Sequence, residues 1–494
     1  YVPIDPNSPD ERIKHIIKDC SIKLLIMQEK YSDRFKSSGL SSIVLEHIDF
    51  SKSRKTNKKS EIDGSSPACI LYTSGSTGIP KGTILSHQNL ANLIISFIQS
   101  YSPDVNDRIL PVTSVASSSF VGEILPILCS GGCVVLCDKH DFLDLEKLSN
   151  ILIKYKITIL STVPSVLRYI NALNYSYPDL RLILGGGETL YPEDINNLFN
   201  KNIMIVNGYG ATEGTICATF HIVEKNDMGC DSALPIGKPI LNNRIYILDN
   251  HMNLLGPGCA GNIYTSGVGT CLGYINNTEL TDASFSEDIF VPGCERMYKT
   301  GDRGYWRENG EVQFIGRKDD QFKIRGYRVE RGEIEKAILK CPDIKECVVS
   351  VEQHGRHNTG IVAYVASKND AQITKKQLFV FMRRHIPDYM IPAEIYFIDK
   401  IPYLMNGKIN YELLKRSCNE SKSNIREEAH NKTEDQIINI WKGVLKRDEI
   451  GLDDNFFDIG GHSLLIIDVQ KRINKIFQNN VSVIDLFQYP TVRY

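Results

Sequence analysis

The 494-residue chain contains no run of about 18 apolar residues, so no membrane-spanning helix is expected and a membrane partner is excluded on that ground. It also lacks a surplus of either charge. Lys and Arg number 57 against 59 Asp and Glu, which argues against a nucleic-acid partner held by bulk positive charge. The 13 cysteines are scattered singly, with no CxxC pair and no zinc-like spacing, in a chain too long to need stapling. Reduced thiols and a cytoplasmic location are the matching expectation. The Walker pattern GxxxxGK[ST] is absent as well. The first residues, Tyr1-Val2-Pro3-Ile4, show neither an initiator Met nor a signal peptide, so the chain reads as a piece of something longer.

What is present begins with length. A chain of 494 residues exceeds what one hydrophobic core usually supports, which predicts two to four domains. Between residues 130 and 210, short apolar runs alternate with amphipathic segments: Cys133 to Cys137, Leu143 to Tyr155, Ile157 to Leu160, Val166 to Leu173, Leu180 to Leu184, Pro192 to Phe199 and Ile203 to Val206. Leu145, Leu148, Leu152 and Tyr155 recur at helical steps and predict one buried face. Apolar strands separated by helices imply a parallel sheet covered on both sides. From Ile236 to Ile275 the texture changes to short strands and glycine turns, as in a β-barrel-like region. A smaller α+β unit is expected from about Asp319. The polar stretch Ser417 to Lys432 reads as a linker, and Ser51 to Ser60 as a solvated loop. Thr433 with Gln436 three residues on predicts a capping box opening a helix whose apolar stripe is Ile437, Trp441, Val444 and Leu445.

The most informative segment is Leu71-Tyr72-Thr73-Ser74-Gly75-Ser76-Thr77-Gly78-Ile79-Pro80-Lys81. Glycines let the backbone curl until its N–H groups point inward, four hydroxyls add donors, and Lys81 adds positive charge, a composition suited to phosphate. Its order of small residues resembles the signature loop of the adenylate-forming superfamily, best known in the adenylation domains of nonribosomal peptide synthetases. Further segments resemble that family's motifs in the family's order, from Tyr1 to about Ser417. They are Asn207-Gly208-Tyr209-Gly210-Ala211-Thr212-Glu213, Tyr298-Lys299-Thr300-Gly301-Asp302, Gly316-Arg317-Lys318-Asp319, Lys323 to Glu330, and Pro402 to Lys408. Asp454 to Leu465 then resembles the attachment site of a peptidyl carrier domain.

The resemblance implies the following. Residues Thr73, Ser74, Gly75, Ser76, Thr77, Gly78 and Lys81 would cradle the phosphates of ATP. Tyr209 would pack on adenine beside Gly208, Asn207 would read its edge, Thr212 would meet phosphate and Glu213 would hold Mg²⁺. Asp302 would accept hydrogen bonds from the ribose hydroxyls and Arg317 would contact the nucleotide. Phe314 stands where the family commonly has tyrosine. Asp319 would be the hinge about which the smaller domain turns. Lys408 would be the catalytic ammonium that offsets repulsion between a carboxylate and the α-phosphate, with Glu213, Thr73 and Lys81 handling the remaining charge. Ser463 would receive 4′-phosphopantetheine at the start of a helix whose inner face is Leu465, Val469, Ile473 and Ile476.

Aligning Val121-Gly122-Glu123 with the family's usual VWE puts Ser118 where amino-acid-activating members carry an aspartate. Serine offers no charge to an α-ammonium, and burying that ammonium unpaired costs several kcal/mol. The other pocket positions follow as Ser119, Gly122, Ser161, Leu184, Gly186, Gly208, Ile216 and Cys217. Three glycines imply a roomy pocket, and the acid expected is one without a free α-amino group, such as an aryl, α-keto, hydroxy or β-amino acid, with an unusual amino acid as the alternative.

The fold class expected is therefore α/β. Residues 1–317 would form the large adenylate-forming subdomain, its opening part missing, with parallel α/β sheets and a β-barrel-like part. Residues 318–417 would form the small α+β subdomain, 418–432 a linker and 433–494 an all-α four-helix carrier. The implied partners are a small carboxylic acid, a phosphopantetheinyl transferase, and neighbouring condensation, reductase or thioesterase domains. A free-standing acyl-CoA or aryl-acid ligase, and a carrier scaffold with a decayed adenylation half, are the alternatives.

Overall fold

The architecture is taken from a computed structural model of the chain. It describes all residues except 37–38, 53–60, 76–77, 138–144, 174, 294–295, 318–320, 325, 355–357, 369–372, 393, 404–408, 415–430, 446, 448–449, 457–458, 460–462, 479–480, 482–484, 487–488 and 494.

The alternating run expected at 130–210 forms the heart of a seven-stranded sheet. Its parallel neighbours, in spatial order, are Met204–Tyr209, Leu182–Gly186, Ile159–Thr162, Arg108–Pro111 and Cys133–Val134. Thr219–Ile222 and Lys238–Pro239 extend it antiparallel. Helices Leu145–Lys154 and Pro164–Leu173 fill the crossovers. Leu148 and Leu152 are buried against Leu160, Leu167 and Ile183, so apolar strands and helical stripes close one core, as a sheet covered on both faces requires. Tyr155 departs from the expected stripe: the helix stops at Lys154 and Tyr155 is exposed.

Two further sheets complete the large part. Pro67–Thr73, Lys81–Ser86 and Gly273–Tyr274 form one, and Asn243–Leu248, Gly261–Gly267, Arg296–Trp306, Phe285–Glu287 and Val312–Arg317 form the barrel-like region. The smaller unit opens with the hairpin Gln321–Ile324 and Tyr327–Glu330, continues as helix Arg331–Leu339, and closes on the sheet of Ile344–His354, Asn358–Ser367 and Glu394–Phe397 around its own core.

The expected linker lies outside the described residues except for Asn431 and Lys432. In the carrier, helices Lys432–Leu445 and Ser463–Phe477 pack together, two of the four expected being present among the described residues. The cap is Asn431, whose Oδ1 accepts from the Glu434 N–H at 2.9 Å, in place of the Thr433 box; the helix starts one residue before Thr433. Trp441, Val444, Val469 and Ile473 are buried as expected and are joined by Ile440 and Ile466, whereas Ile476 is exposed. The stripe of the second helix runs through Ile466, Val469 and Ile473 to Phe477.

Candidate functional site

The phosphate-type loop is the tip of a hairpin. The apolar strand ending at Thr73 was expected; Lys81 opens its antiparallel partner, and the two residues are register neighbours. Gly75 and Gly78 are dictated by the turn. A Cβ at Gly75 would lie 2.0 Å from the Ile79 carbonyl oxygen, and Gly78 has φ +72°, the left-handed region that glycine enters freely. Gly78 donates its N–H to the Gly75 carbonyl at 2.8 Å. The Thr73 hydroxyl is buried and unpaired among the described residues, a donor that suits an anionic oxygen. Ser76 and Thr77 lie outside the described residues. The Ser74 hydroxyl instead donates to the Arg328 carbonyl at 2.7 Å, tying the loop to the small unit.

Lys81 reaches across to the strand-end motif. Its ammonium is 2.9 Å from Glu213 Oε1 and donates to the Tyr274 hydroxyl at 2.9 Å, and that hydroxyl donates to Glu213 Oε1 at 2.7 Å. Arg328 Nη1 contacts both carboxylate oxygens, at 2.8 and 2.7 Å. Glu213 is fully buried. Burial alone would raise its carboxyl, but the Arg328 and Lys81 cations outweigh that and hold it well below the usual range.

At the neighbouring end of the sheet, Tyr209 donates to Asp302 Oδ2 at 2.6 Å, and the Arg317 guanidinium grips Oδ1 of the same carboxylate. Asp302 and Arg317 are partners across one antiparallel pair. Phe314 lies in that strand, its ring centroid 6.3 Å from that of Tyr209. Asn207 is buried, with its side-chain amide donating to the Pro235 carbonyl at 2.8 Å. Asn207, Tyr209, Asp302, Phe314 and Arg317 are thus brought together.

The proposed acid-pocket positions also converge. Ser118, Ser119 and Gly122 lie in the first turns of helix Ser118–Cys129, capped by Ser117. Ser161 pairs with Leu184, and Gly186 with Gly208, at the carboxyl ends of adjacent parallel strands, where open α/β sheets bind ligands. Thr212 donates to the Ser118 hydroxyl at 3.0 Å. Thr215 and Ile216 both adopt left-handed backbone, φ 55° and 73°, a costly conformation for β-branched residues that aims Ile216 at the helix.

The roomy pocket expected from three glycines is corrected. A Cβ at Gly122 would meet Ile216 Cγ2 at 3.2 Å, one at Gly186 the Gly208 carbonyl oxygen at 3.0 Å, and one at Gly208 the Cys217 sulfur at 3.3 Å. Neighbours already fill the space that the missing side chains leave.

Several groups were not singled out from sequence. Tyr274 and Arg328 meet Glu213 from 61 and 115 residues away, and only Arg328 carried a signal, its place in the string following the hinge motif. Glu123 was used only for alignment, yet it is buried and accepts from Thr113 at 3.0 Å; burial pushes its carboxyl up to about 8. Lys408 and Asp319 lie outside the described residues. Ser463 is the first residue of its helix, and that helix packs on Pro164–Leu173, where Tyr169 joins the carrier core.

Comparison with known proteins matches residues 1–275 to the AMP-binding enzyme family, 333–408 to the AMP-binding enzyme C-terminal domain and 435–493 to the phosphopantetheine attachment site. Bacitracin synthase 2 of Bacillus licheniformis is 33% identical over the whole chain, which spans 19% of that protein. Tyrocidine synthase 1 of Brevibacillus parabrevis is 33% identical over the whole chain, which spans 45% of it. Among solved structures, holo-PA1221, an NRPS protein containing adenylation and PCP domains bound to a vinylsulfonamide inhibitor, superimposes with a TM-score of 0.77 at 25% identity, covering 100% of this chain and 84% of that one. No helix among the described residues is long and apolar enough to cross a membrane. ATP, Mg²⁺ and covalent phosphopantetheine are the cofactors that go with these domains. The chain belongs to the AMP-binding enzyme family, as a nonribosomal peptide synthetase adenylation domain joined to a phosphopantetheine carrier domain.

Proposed function

We propose that this chain activates a small carboxylic acid lacking a free α-ammonium and loads it onto its own carrier. The observation that carries the reading is the 3.0 Å hydrogen bond from Thr212 to Ser118, because it joins the residue expected at phosphate to the pocket that would hold the acid. Adenylation needs those two anions in contact.

In the first half-reaction a carboxylate oxygen bonds to the α-phosphorus of ATP, and the bond to pyrophosphate breaks. Thr73, Ser74, Gly75, Ser76, Thr77, Gly78 and Lys81 are assigned to the phosphates. Asn207, Gly208, Tyr209 and Phe314 are assigned to adenine, Asp302 and Arg317 to the ribose side, and Lys408 to the reacting oxygens. Ser463 would hold phosphopantetheine, whose thiol would supply the sulfur that takes the acyl group as the bond to AMP breaks and AMP leaves. Asp319 is the proposed hinge between residues 1–317 and 318–417, with the linker at 418–432 and the carrier at 433–494. Ser118 offers only a hydroxyl, and Ile216 and Cys217 narrow the space beside Gly122 and Gly208, so a compact α-keto or hydroxy acid suits the site better than an aryl acid.

A pyrophosphate-exchange panel tests this: exchange with small α-keto or hydroxy acids is expected, and exchange confined to common α-amino acids overturns it. Intact mass after treatment with a phosphopantetheinyl transferase tests Ser463. The neighbouring condensation, reductase or thioesterase domains and a cytoplasmic setting belong to the same proposal.

A further inference from the structure

Behind the acid pocket lies a carboxyl that the proposed reaction does not use. Glu123 follows Ser119 by one turn of helix Ser118–Cys129, which puts the two on one face, and it is 3% exposed. Pro111 and Ser161 are register partners on adjacent parallel strands, so Thr113, just past the first strand, and Ser161, in the second, meet the carboxyl from the sheet side. The Thr113 hydroxyl donates to Oε2 at 3.0 Å, and among the described residues the Ser161 hydroxyl is the other group that hydrogen-bonds to it. Ser161 is also a proposed pocket position and is only half-buried. One hydroxyl therefore joins the carboxyl to the space for the acid.

No cation relieves this carboxyl. Helix His87–Tyr101 and strands Arg108–Pro111 and Cys133–Val134 pack on its helix. Their titratable groups His87, Tyr101, Arg108 and Cys133, and Cys129 of its own helix, do not act on it. Among the described residues only the two hydroxyls oppose the burial that pushes it up to about 8. At neutral pH Glu123 is thus an acid with one O–H to place. With Thr113 donating to Oε2, that proton goes to Ser161 Oγ, because a buried donor left unpaired is costly. Ser161 then turns its own proton toward the pocket. Once Glu123 ionises, the carboxylate draws the Ser161 proton to itself in a charge-assisted bond, and only lone pairs face the acid.

We infer that Glu123 is a positioning residue that sets, through Ser161, whether the pocket offers the acid's α-oxygen a second hydrogen-bond donor or an acceptor. The inference rests on the reading of the substrate as a small α-keto or hydroxy acid. Ser118, whose oxygen accepts from Thr212, keeps its own proton and supplies the first donor. A keto oxygen can only accept, so two donors suit it and the protonated state of Glu123 serves it best. An α-hydroxyl accepts from Ser118 and has a proton of its own to give, so the ionised state serves it best.

The test is pyrophosphate exchange by the full chain with an α-keto acid and the α-hydroxy acid of the same carbon skeleton, pyruvate with lactate and larger pairs, from about pH 6.5 to 9.5. Both acids stay ionised across this range, and effects on ATP or on shared groups cancel in the ratio of their kcat/KM values. The keto-to-hydroxy ratio is expected to fall roughly tenfold as Glu123 ionises. It is expected to stay high and level in Glu123→Gln, whose amide N–H serves Ser161 at every pH, and to be level in Ser161→Ala. A level ratio in the wild type, or a slope that survives either substitution, overturns the inference alone. Exchange with neither member of any pair overturns the reading of the substrate, and the inference with it. Should Glu123→Gln not fold, the profiles of the wild type and Ser161→Ala decide.

Discussion

Thr212 donates a hydrogen bond to Ser118 across 3.0 Å, and neither side chain carries a charge. At the position proposed for the acid's α-substituent, this chain thus has two hydroxyls joined by one hydrogen bond. Ser118→Asp restores an anion at that point. Exchange with α-amino acids is expected to rise on the order of 100-fold, because an ammonium entering the pocket then finds a partner. Exchange kinetics with paired α-amino and α-hydroxy acids measure it, and no change in the ratio would count against the pocket assignment.

Glu123 sets a pH dependence of stability. Its carboxyl is pushed from 4.5 up to about 8 by burial, with the Thr113 and Ser161 hydroxyls only partly opposing, and both neighbours are uncharged. Between those two values the unfolded chain has released a proton that the folded chain still holds. Stability from this group is therefore complete below pH 4.5, falls as pH rises toward 8, and is level above that. Glu123→Gln is expected to flatten this slope and to be the more stable form at pH 8 by on the order of 3 kcal/mol. Denaturant melts across the range check the sign.

The glycines of the pocket are not equivalent. At Gly186 the obstacle to a methyl group is the Gly208 backbone carbonyl at 3.0 Å, which cannot step aside, whereas at Gly122 it is the Cγ2 methyl of the Ile216 side chain at 3.2 Å. Gly186→Ala is expected to destabilise the chain by about 1–3 kcal/mol. Gly122→Ala is expected to leave the melting temperature nearly unchanged, raise KM for the acid, and be relieved by Ile216→Ala, which removes the Cγ2 methyl. Thermal melts and acid titrations separate the two outcomes.

Asp302 is shared between Tyr209 and Arg317. Asp302→Asn removes the charge from a pair that is nearly buried and leaves Arg317 without its carboxylate. A loss of about 2–4 kcal/mol in stability is expected, together with weaker nucleotide binding. Calorimetric titration with ATP and chemical denaturation give the two values, and an unaltered nucleotide affinity would remove Asp302 from the ribose role.

Much of this was legible along the chain, for reasons that can be assigned residue by residue. The parallel strands at 159–162 and 182–186 open on the apolar runs Ile159-Leu160 and Leu182-Ile183-Leu184 because both faces are covered there, so composition marks them. Tyr155 broke the helical stripe only because the helix ends one residue earlier, and boundaries are where periodicity carries least information. Asn431 displaced Thr433 as the cap through a single hydrogen bond that a two-residue shift creates. The phosphate-type loop was readable because its glycines answer a local demand of the backbone. Pocket size was not, since the room beside Gly122 is decided by Ile216, which is 94 positions away and oriented by an unusual backbone angle. Tyr274 and Arg328 escaped for the same reason: their meaning lies in a carboxylate that only folding brings near.

Tyr169 belongs to the large unit by sequence yet sits in the hydrophobic core of the carrier. Its helix, Pro164–Leu173, is also a crossover of the central sheet, so its position is fixed by that sheet. A foreign carrier grafted onto this adenylation unit must accordingly present a socket for that one aromatic ring. Compatibility between swapped synthetase parts would then be set by a match of shapes at residue 169, before any chemistry begins.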